Sequence, residues 1–468
     1  MTSRARALGI ALLLVSLGIG GVRLAGGASA LVRHGLQADF SAYYTAGESL
    51  NRGLSPYRNH AAQDASLWDG VDLWQPSRFL YPPLAAVPFR ALALFPYGQA
   101  KVVWTALIFV LAAAALLLSA RVAGGRPTIP ALAAGVWLVW GWPFLLELER
   151  GQVDLLTLVL LLGAAQVQRR PGRRRALLAG GLWALAAVFK LHVLLAFPLL
   201  LLRRRFHVVL GALAAGVGLL IVSATVMPTA TYEYVGEAMP RMIRYGINPP
   251  PGSELGPAVR QALFAGYPPG VAHAHGGGYL RFAIPFDDHA SLVWALAGEE
   301  ARYPGLLSLL VAGLMAGTVA WAIRRRAPDD ARQAPEASLA ADRCGTLRER
   351  EDLAWLVLAL CCVLLAAPLT WPMNTVWLLP AVFVALAPPG SGAGWARRYA
   401  GIVVGVVGLG LVALPDRFAW PWPRSLYWVS GHKYVLGELA VAAAMVYRLV
   451  PSRRRATAVA DVGYPLRG

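Results

Sequence analysis

The sequence predicts an all-α, polytopic membrane protein, and three observations carry that prediction. Of 468 residues, 57% are hydrophobic and 15% are charged, whereas a soluble domain carries about 25% charged residues. The apolar residues fall in blocks, many of them about 17–25 residues long, the length a helix needs to cross a bilayer. Arginines gather in short runs between those blocks, at Arg169-Arg170, Arg173 to Arg175, Arg203 to Arg205, Arg324 to Arg326, Arg397-Arg398 and Arg453 to Arg455. Short basic loops beside spans mark the cytoplasmic side. The net charge of +18 therefore belongs to membrane orientation. No basic stripe with interleaved aromatics is present, so nucleic acid is not an expected partner.

With the arginine runs as cytoplasmic anchors, the chain reads in order. A first span runs outward over about Ala7 to Ala25. Arg4, Arg6, the apolar stretch and Ala28-Ser29-Ala30 also resemble a cleavable signal peptide, but the stretch is longer than a typical signal core and many spans follow. Residues 26–78 form a first extracytoplasmic loop rich in Trp, Tyr, Asp and Pro. Pro82-Pro83 opens a short apolar segment to Phe95 at the membrane surface. Spans then run inward from Lys101 to Ala120, outward from Pro130 to Leu146, and inward from Val153 to Val167.

The block Ala176 to Leu202 is apolar yet has arginine runs at both ends. A single span would place one run outside, so the positive-inside rule predicts a split, up to Phe189, a break at Lys190, and back to Leu202. An ionisable residue within such a block is a functional candidate. Val208 to Met227 goes out, and residues 228–303 form a second extracytoplasmic loop. Pro304 to Ile323 returns, and residues 324–352 read as a flexible, charged cytoplasmic linker. Leu353–Ala367, Val376–Leu386, Tyr399–Leu414 and Tyr434–Tyr447 complete about twelve crossings of one membrane domain with both termini inside. The two long external segments hold nearly all the acidic, histidine and tryptophan-rich loop chemistry, so binding or catalysis belongs on that face.

Asp39 lies shortly after the first span, in Ala38-Asp39-Phe40-Ser41-Ala42-Tyr43-Tyr44. Its position also suits a helix N-cap. Carboxylates among apolar and aromatic groups at an interface become more basic, which suits a general base. Cys344, Cys361 and Cys362 have neither disulfide nor metal spacing. His273, His275 and Asp287-Asp288-His289 match no recognised zinc site, and a glycine-rich loop that closes over an acceptor is the expectation there.

Asp39 to Gly47 continues through Gly53-Leu54-Ser55-Pro56-Tyr57 and Phe79-Leu80-Tyr81-Pro82-Pro83-Leu84-Ala85. Later come Gly151-Gln152-Val153-Asp154, Ala179-Gly180-Gly181 leading to Lys190, and Pro368-Leu369-Thr370-Trp371. Over about residues 5–390 this ordered series resembles glycosyltransferase family 87, the polyprenyl-phosphate-mannose-dependent mannosyltransferases of the GT-C superfamily. The resemblance implies a GT-C-like bundle, a polyprenyl-phosphate-linked sugar donor, inversion at the anomeric carbon, no metal or other cofactor, and Asp39 as the catalytic base. One departure bears on the donor sugar. Where the family often has histidines after its late Trp, this chain has Met373 and Asn374.

The chemistry needs little else. Glycosidases require an acid as well as a base because their leaving group is poor. A sugar phosphodiester already carries a good leaving group, so one carboxylate must accept the acceptor proton and cations must stabilise the departing phosphate. Lys190, with His192 nearby, and Arg150 are the candidate cations; Tyr43, Tyr44, Tyr81, Trp371 and Asn374 are candidates to line a sugar or prenyl pocket. The expected partners are a polyprenyl-phosphate sugar, a glycan or glycolipid acceptor and membrane lipids, in a bacterial inner membrane with the active site facing outward. Mannose is the default sugar and arabinose an alternative. A lipid or sugar transporter is the rival class, although transporters tend to carry internal repeats, which are not evident here.

Overall fold

The structure, a computed structural model, describes residues 3–34, 37–58, 71, 79–124, 128–240, 292, 304–324, 341–367, 372–386, 395–415 and 424–449. Its helices in chain order are α1 (Ser3–His34), α2 (Ala38–Asn51), α3 (Phe89–Leu92), α4 (Tyr97–Val122), α5 (Thr128–Trp140), α6 (Trp142–Arg150), α7 (Asp154–Gln168) and α8 (Arg173–Phe189). These are followed by α9 (Phe197–Leu202), α10 (Phe206–Val226), α11 (Pro228–Glu233), α12 (Pro304–Arg324), α13 (Ala341–Ala366), α14 (Leu379–Ala385), α15 (Trp395–Ala413) and α16 (Arg424–Leu449). Short 3-10 segments cover Pro83–Ala86, Leu191–Ala196 and Pro372–Leu378. Among the described residues there is no strand.

Among the described residues, three helices are long and apolar enough to cross a membrane: Ser3–Ser29 within α1, α4 and α10. The bent pair α5 and α6 makes a fourth if taken as one span. Several other expected spans appear as shorter apolar helices, including α7 and the Pro372–Ala385 segment. At the centre stands α13, where Leu353 to Ala367 is buried on nearly every face, as expected of a helix that is apolar all round.

Four local features differ from the sequence expectation. The first external segment is not loop from residue 26, because α1 continues to His34 and α2 follows at once. The linker expected over 324–352 is helical from Ala341. Its Leu, Arg and Glu residues favour helix, and the apolar run ahead of them supplies the rest of the α13 helix. The expected straight span 130–146 bends by 53° between Trp140 and Trp142. Pro143 near the start of α6 lacks the N–H that a continuous helix would need there. The expected span 376–386 begins as a 3-10 segment at Pro372 and becomes α-helical only at Leu379.

The break within residues 176–202 falls at Lys190, where α8 stops and the backbone turns extended (φ −143°, ψ 87°). Gly180 packs on the backbone of Val208 and Ala212, and Gly211 on the backbone of Leu177. Contacts that advance together along both helices, Leu177 with Gly211 and Gly181 with Ala215, make α8 and α10 parallel neighbours. The intervening residues 191–205 must therefore run back alongside them, as the arginine spacing required.

Candidate active site

The site is built where α2 crosses the turn between α6 and α7. Asp39 lies in the first turn of α2, and the N-cap position belongs to Gln37, which makes no side-chain cap. A carboxylate there is favoured by the helix dipole. Helical spacing puts Tyr43 on the same face as Asp39, four residues on, and turns Tyr44 away. Accordingly Tyr43 points to the α6–α7 turn, while the Tyr44 hydroxyl donates to the Phe95 carbonyl at 2.8 Å. Behind them Phe40 stacks on Trp104, with centroids 5.8 Å apart, and on Tyr97 at 5.7 Å.

The α6–α7 turn is Gly151-Gln152-Val153. Gly151 ends α6 in the left-handed conformation (φ +68°), and a Cβ there would lie 2.7 Å from Cβ of Phe40. Glycine therefore satisfies both the backbone angle and the close approach of α2. Trp104 Nε1 donates to the Gly151 carbonyl at 2.8 Å, clamping the turn from the α4 side.

This clamp delivers Gln152 to the centre of a polar network. Gln152 Nε2 donates to Asp39 Oδ2 at 2.7 Å. Its Oε1 accepts from Tyr43 Oη at 2.8 Å and from Lys190 Nζ at 3.4 Å. Tyr81 Oη lies 2.8 Å from Tyr43 Oη and 3.5 Å from Gln152 Oε1, and the Lys190 ammonium sits over the Tyr81 ring at 5.9 Å. Burial first, and then the neighbouring Tyr81 and Asp39, raise the Tyr43 phenol well above its usual range. Burial raises Tyr81 as well, so both remain phenols at neutral pH.

Arg150, the last residue of α6, brings Nε to 3.5 Å from Asp39 Oδ2, and both side chains are 17% exposed. Lys190 lies deeper. Its Nζ is 3.4 Å from Asp154 Oδ2, with the lysine 7% exposed and the aspartate fully buried. Asn374 Nδ2 donates to Asp154 Oδ1 at 2.7 Å, and Trp377 Nε1 to the Asp154 carbonyl at 3.0 Å. Glu147 is also fully buried. Its Oε1 accepts from the Leu155 N–H at 3.0 Å, while its Oε2 meets no hydrogen-bond partner among the described residues.

Of the sequence candidates, Asp39, Tyr43, Tyr81, Arg150, Lys190 and Asn374 thus join one network. His192 does not, for it stacks on Trp377 with centroids 5.3 Å apart and its buried Nε2 meets no hydrogen-bond partner among the described residues. Tyr44 anchors α2 elsewhere. Trp371, together with His273, His275 and Asp287 to His289, lies outside the described residues. Sequence reasoning passed over Gln152, Asp154 and Glu147 as site residues, although Gln152 and Asp154 stand in the Gly-Gln-Val-Asp motif. An amide and a carboxylate at a helix start look ordinary until the turn that holds them is known.

The chain is similar to two curated mycobacterial proteins, each named polyprenol-phosphate-mannose-dependent alpha-(1-2)-phosphatidylinositol pentamannoside mannosyltransferase. The relative from Mycobacterium tuberculosis is 30% identical over 155 residues, covering 31% of this chain and 35% of that protein. The one from Mycolicibacterium smegmatis is 27% identical over 253 residues, covering 53% of this chain and 58% of that protein. The chain therefore matches less than two thirds of the length of either relative. No solved structure matches. The model of glycosyltransferase family 87 matches residues 79–347, more than half of the chain, and the protein belongs to that family.

Proposed function

We propose that this protein is a multi-pass membrane glycosyltransferase that moves one sugar, mannose, from a polyprenyl-phosphate donor to a hydroxyl of a mannosylated glycolipid. The observation that carries this reading is the contact of Asp39 with Arg150, 3.5 Å apart and both partly exposed. Displacement at a sugar phosphodiester needs a base for the incoming hydroxyl and a cation for the departing phosphate. Here one of each stands side by side. Asp39 takes the acceptor proton as the acceptor oxygen bonds the anomeric carbon. The bond from that carbon to the phosphate oxygen breaks, and its electron pair leaves on polyprenyl phosphate. In-line displacement of this kind inverts the anomeric carbon and needs no metal.

Arg150 takes the first place at the phosphate because it is the more exposed cation. Lys190 stands behind it, with part of its charge compensated by Asp154, and His192 follows two residues later in the chain. Tyr43, Tyr81 and Asn374 line the inner wall. The names of the mycobacterial relatives support mannose and a phosphatidylinositol mannoside acceptor.

A two-sided arrangement of about twelve crossings, with the site on the non-cytoplasmic face, agrees with contacts at both ends of the bundle. Ser55 hydrogen-bonds Glu233, and Tyr57 packs on Tyr234 with centroids 5.9 Å apart, which joins the two segments assigned to the outside. Arg203 and Arg205 reach Asp352 at 2.7 and 3.2 Å, and Arg169 donates to the Arg121 carbonyl at 2.9 Å. All five of those residues are assigned to the cytoplasm.

The test is direct. Purified protein is given radiolabelled polyprenyl-phosphate mannose and phosphatidylinositol pentamannoside, and transfer is followed with release of polyprenyl phosphate. Transfer that disappears in Asp39→Asn supports the reading. Absence of transfer from mannosyl and arabinosyl donors alike, with donor uptake into sealed vesicles instead, overturns it in favour of a transporter.

A further inference from the structure

Gln152 touches more of the site than any candidate chosen for its charge. Its amide could be drawn in two orientations, but its neighbours permit one. The Lys190 ammonium has only hydrogens to offer, and it lies 3.4 Å from one end of the amide. The Val153 backbone N–H, which can only donate, points to the same end at 3.3 Å. That end is therefore the oxygen. The reversed amide would set an NH2 group against an ammonium and an oxygen against the Asp39 carboxylate, a donor facing a donor at one end and an acceptor facing an acceptor at the other. With the oxygen fixed, the NH2 group faces Asp39 Oδ2 at 2.7 Å. The backbone adds to the lock, since Gln152 follows the left-handed Gly151 and its own N–H returns to the Glu147 carbonyl at 3.1 Å.

We propose that Gln152 is the positioning residue for Asp39, holding the carboxylate through a single donated hydrogen bond whose direction is set by Lys190 and the Val153 N–H. The inference rests on Asp39 being the base and extends it to a residue that touches neither donor nor acceptor. Lys190 then acts on Asp39 through Gln152 as well as by its charge. The chain of contacts runs from the buried Asp154, through Lys190 and the Gln152 amide, to the partly exposed Asp39. It gives a rigid support to a carboxylate that otherwise sits on the first turn of α2.

The experiment uses full-length protein with polyprenyl-phosphate mannose as donor and phosphatidylinositol pentamannoside as acceptor. Gln152→Met keeps the length of the side chain and removes both hydrogen-bonding ends. A lost hydrogen bond to a charged group predicts a fall of about 10- to 100-fold in kcat, with donor KM within about twofold. Gln152→Glu changes one group of nearly equal size, yet it can no longer donate to Asp39 when ionised. Two carboxylates at that separation share a proton, so the acidic limb of the rate profile moves upward by about one pH unit or more, with activity partly restored at high pH.

A residue that only fills space predicts something else. Gln152→Glu would then keep the wild-type limb, and Gln152→Met would keep kcat within about twofold, and either result overturns the proposal. If Gln152→Met folds poorly, the midpoint of the Gln152→Glu profile still decides, because a midpoint does not depend on how much enzyme is folded. Asp39→Asn is run alongside. Retained transfer in that variant removes the base itself. A dead Asp39→Asn with an unmoved Gln152→Glu limb removes only the role of Gln152.

Discussion

Lys190 and Asp154 form an ion pair inside the protein, Nζ to Oδ2 at 3.4 Å, with the aspartate fully buried and held on its other oxygen by Asn374 at 2.7 Å. Removing one partner of a buried pair leaves an uncompensated charge and costs about 3–5 kcal/mol, whereas replacing both with apolar groups is often neutral. Lys190→Met and Asp154→Leu alone should each lower thermal stability in detergent strongly, and the double variant should recover most of the loss. Equal stability of the single variants and wild type would falsify the structural half of this pairing. The donor half is read separately. Lys190→Arg should restore transfer only in part, since a planar guanidinium does not fill a compact ammonium site equivalently.

Asp39→Asn should abolish transfer while leaving folding intact. Asp39 sits within the first turn of α2 and is not its N-cap, so an amide of the same size loses a favourable dipole interaction and the partly exposed ion pair with Arg150, each worth about 1 kcal/mol or less. Retention of more than about a tenth of the activity, a barrier change under about 1.4 kcal/mol, would exclude Asp39 as the base.

Arg150 and Asp39 respond differently if one holds phosphate and the other takes the proton. Arg150→Ala should raise donor KM and lower kcat, because the phosphate gains charge as the bond breaks. Arg150→Lys should recover part of the binding, with charge kept and the planar fork lost. Titration of polyprenyl-phosphate mannose against the three proteins checks this, and an unchanged donor KM in Arg150→Ala would move the phosphate away from it.

Sidedness is tested in a Cys344→Ser background, since the native Cys361 and Cys362 are buried. Ser66→Cys should label from outside sealed cells with an impermeant maleimide, and Ser338→Cys should not. Labelling of Ser338→Cys in intact cells would invert the orientation and put the site on the wrong face.

The helices and the position of Asp39 were legible because they depend on local rules. Arginine runs and apolar lengths mark the blocks, the break at Lys190 follows from counting sides, and the Asp39–Tyr43 pairing follows from helical spacing. The bend at Gly141 was also within reach, since Pro143 is a visible signal. Gln152 and Asp154 were not. Their importance comes from partners 113 and 220 residues away, Asp39 and Asn374, and no local pattern announces an amide that is locked by a lysine. Tyr44 shows the opposite failure. It shares its motif with Tyr43, yet one helical step turns it towards Phe95 and away from the site.

Gly151 offers a test of the whole arrangement without altering any polar group. Its φ of +68° is costly for any residue with a Cβ, and the added methyl would meet Cβ of Phe40 at 2.7 Å. Gly151→Ala should therefore destabilise the protein by about 1–3 kcal/mol, through backbone strain and the displacement of α2. The same displacement separates the Gln152 amide from Asp39, so transfer should fall further than the loss of folded protein explains. Measuring kcat per folded molecule at a temperature well below the transition isolates that second effect. Phe40→Ala keeps the Cβ that the methyl meets and leaves the backbone strain, so combining it with Gly151→Ala should not restore the contact. Wild-type kcat in folded Gly151→Ala would mean that the spacing of α2 from the turn is not what holds Asp39 in place.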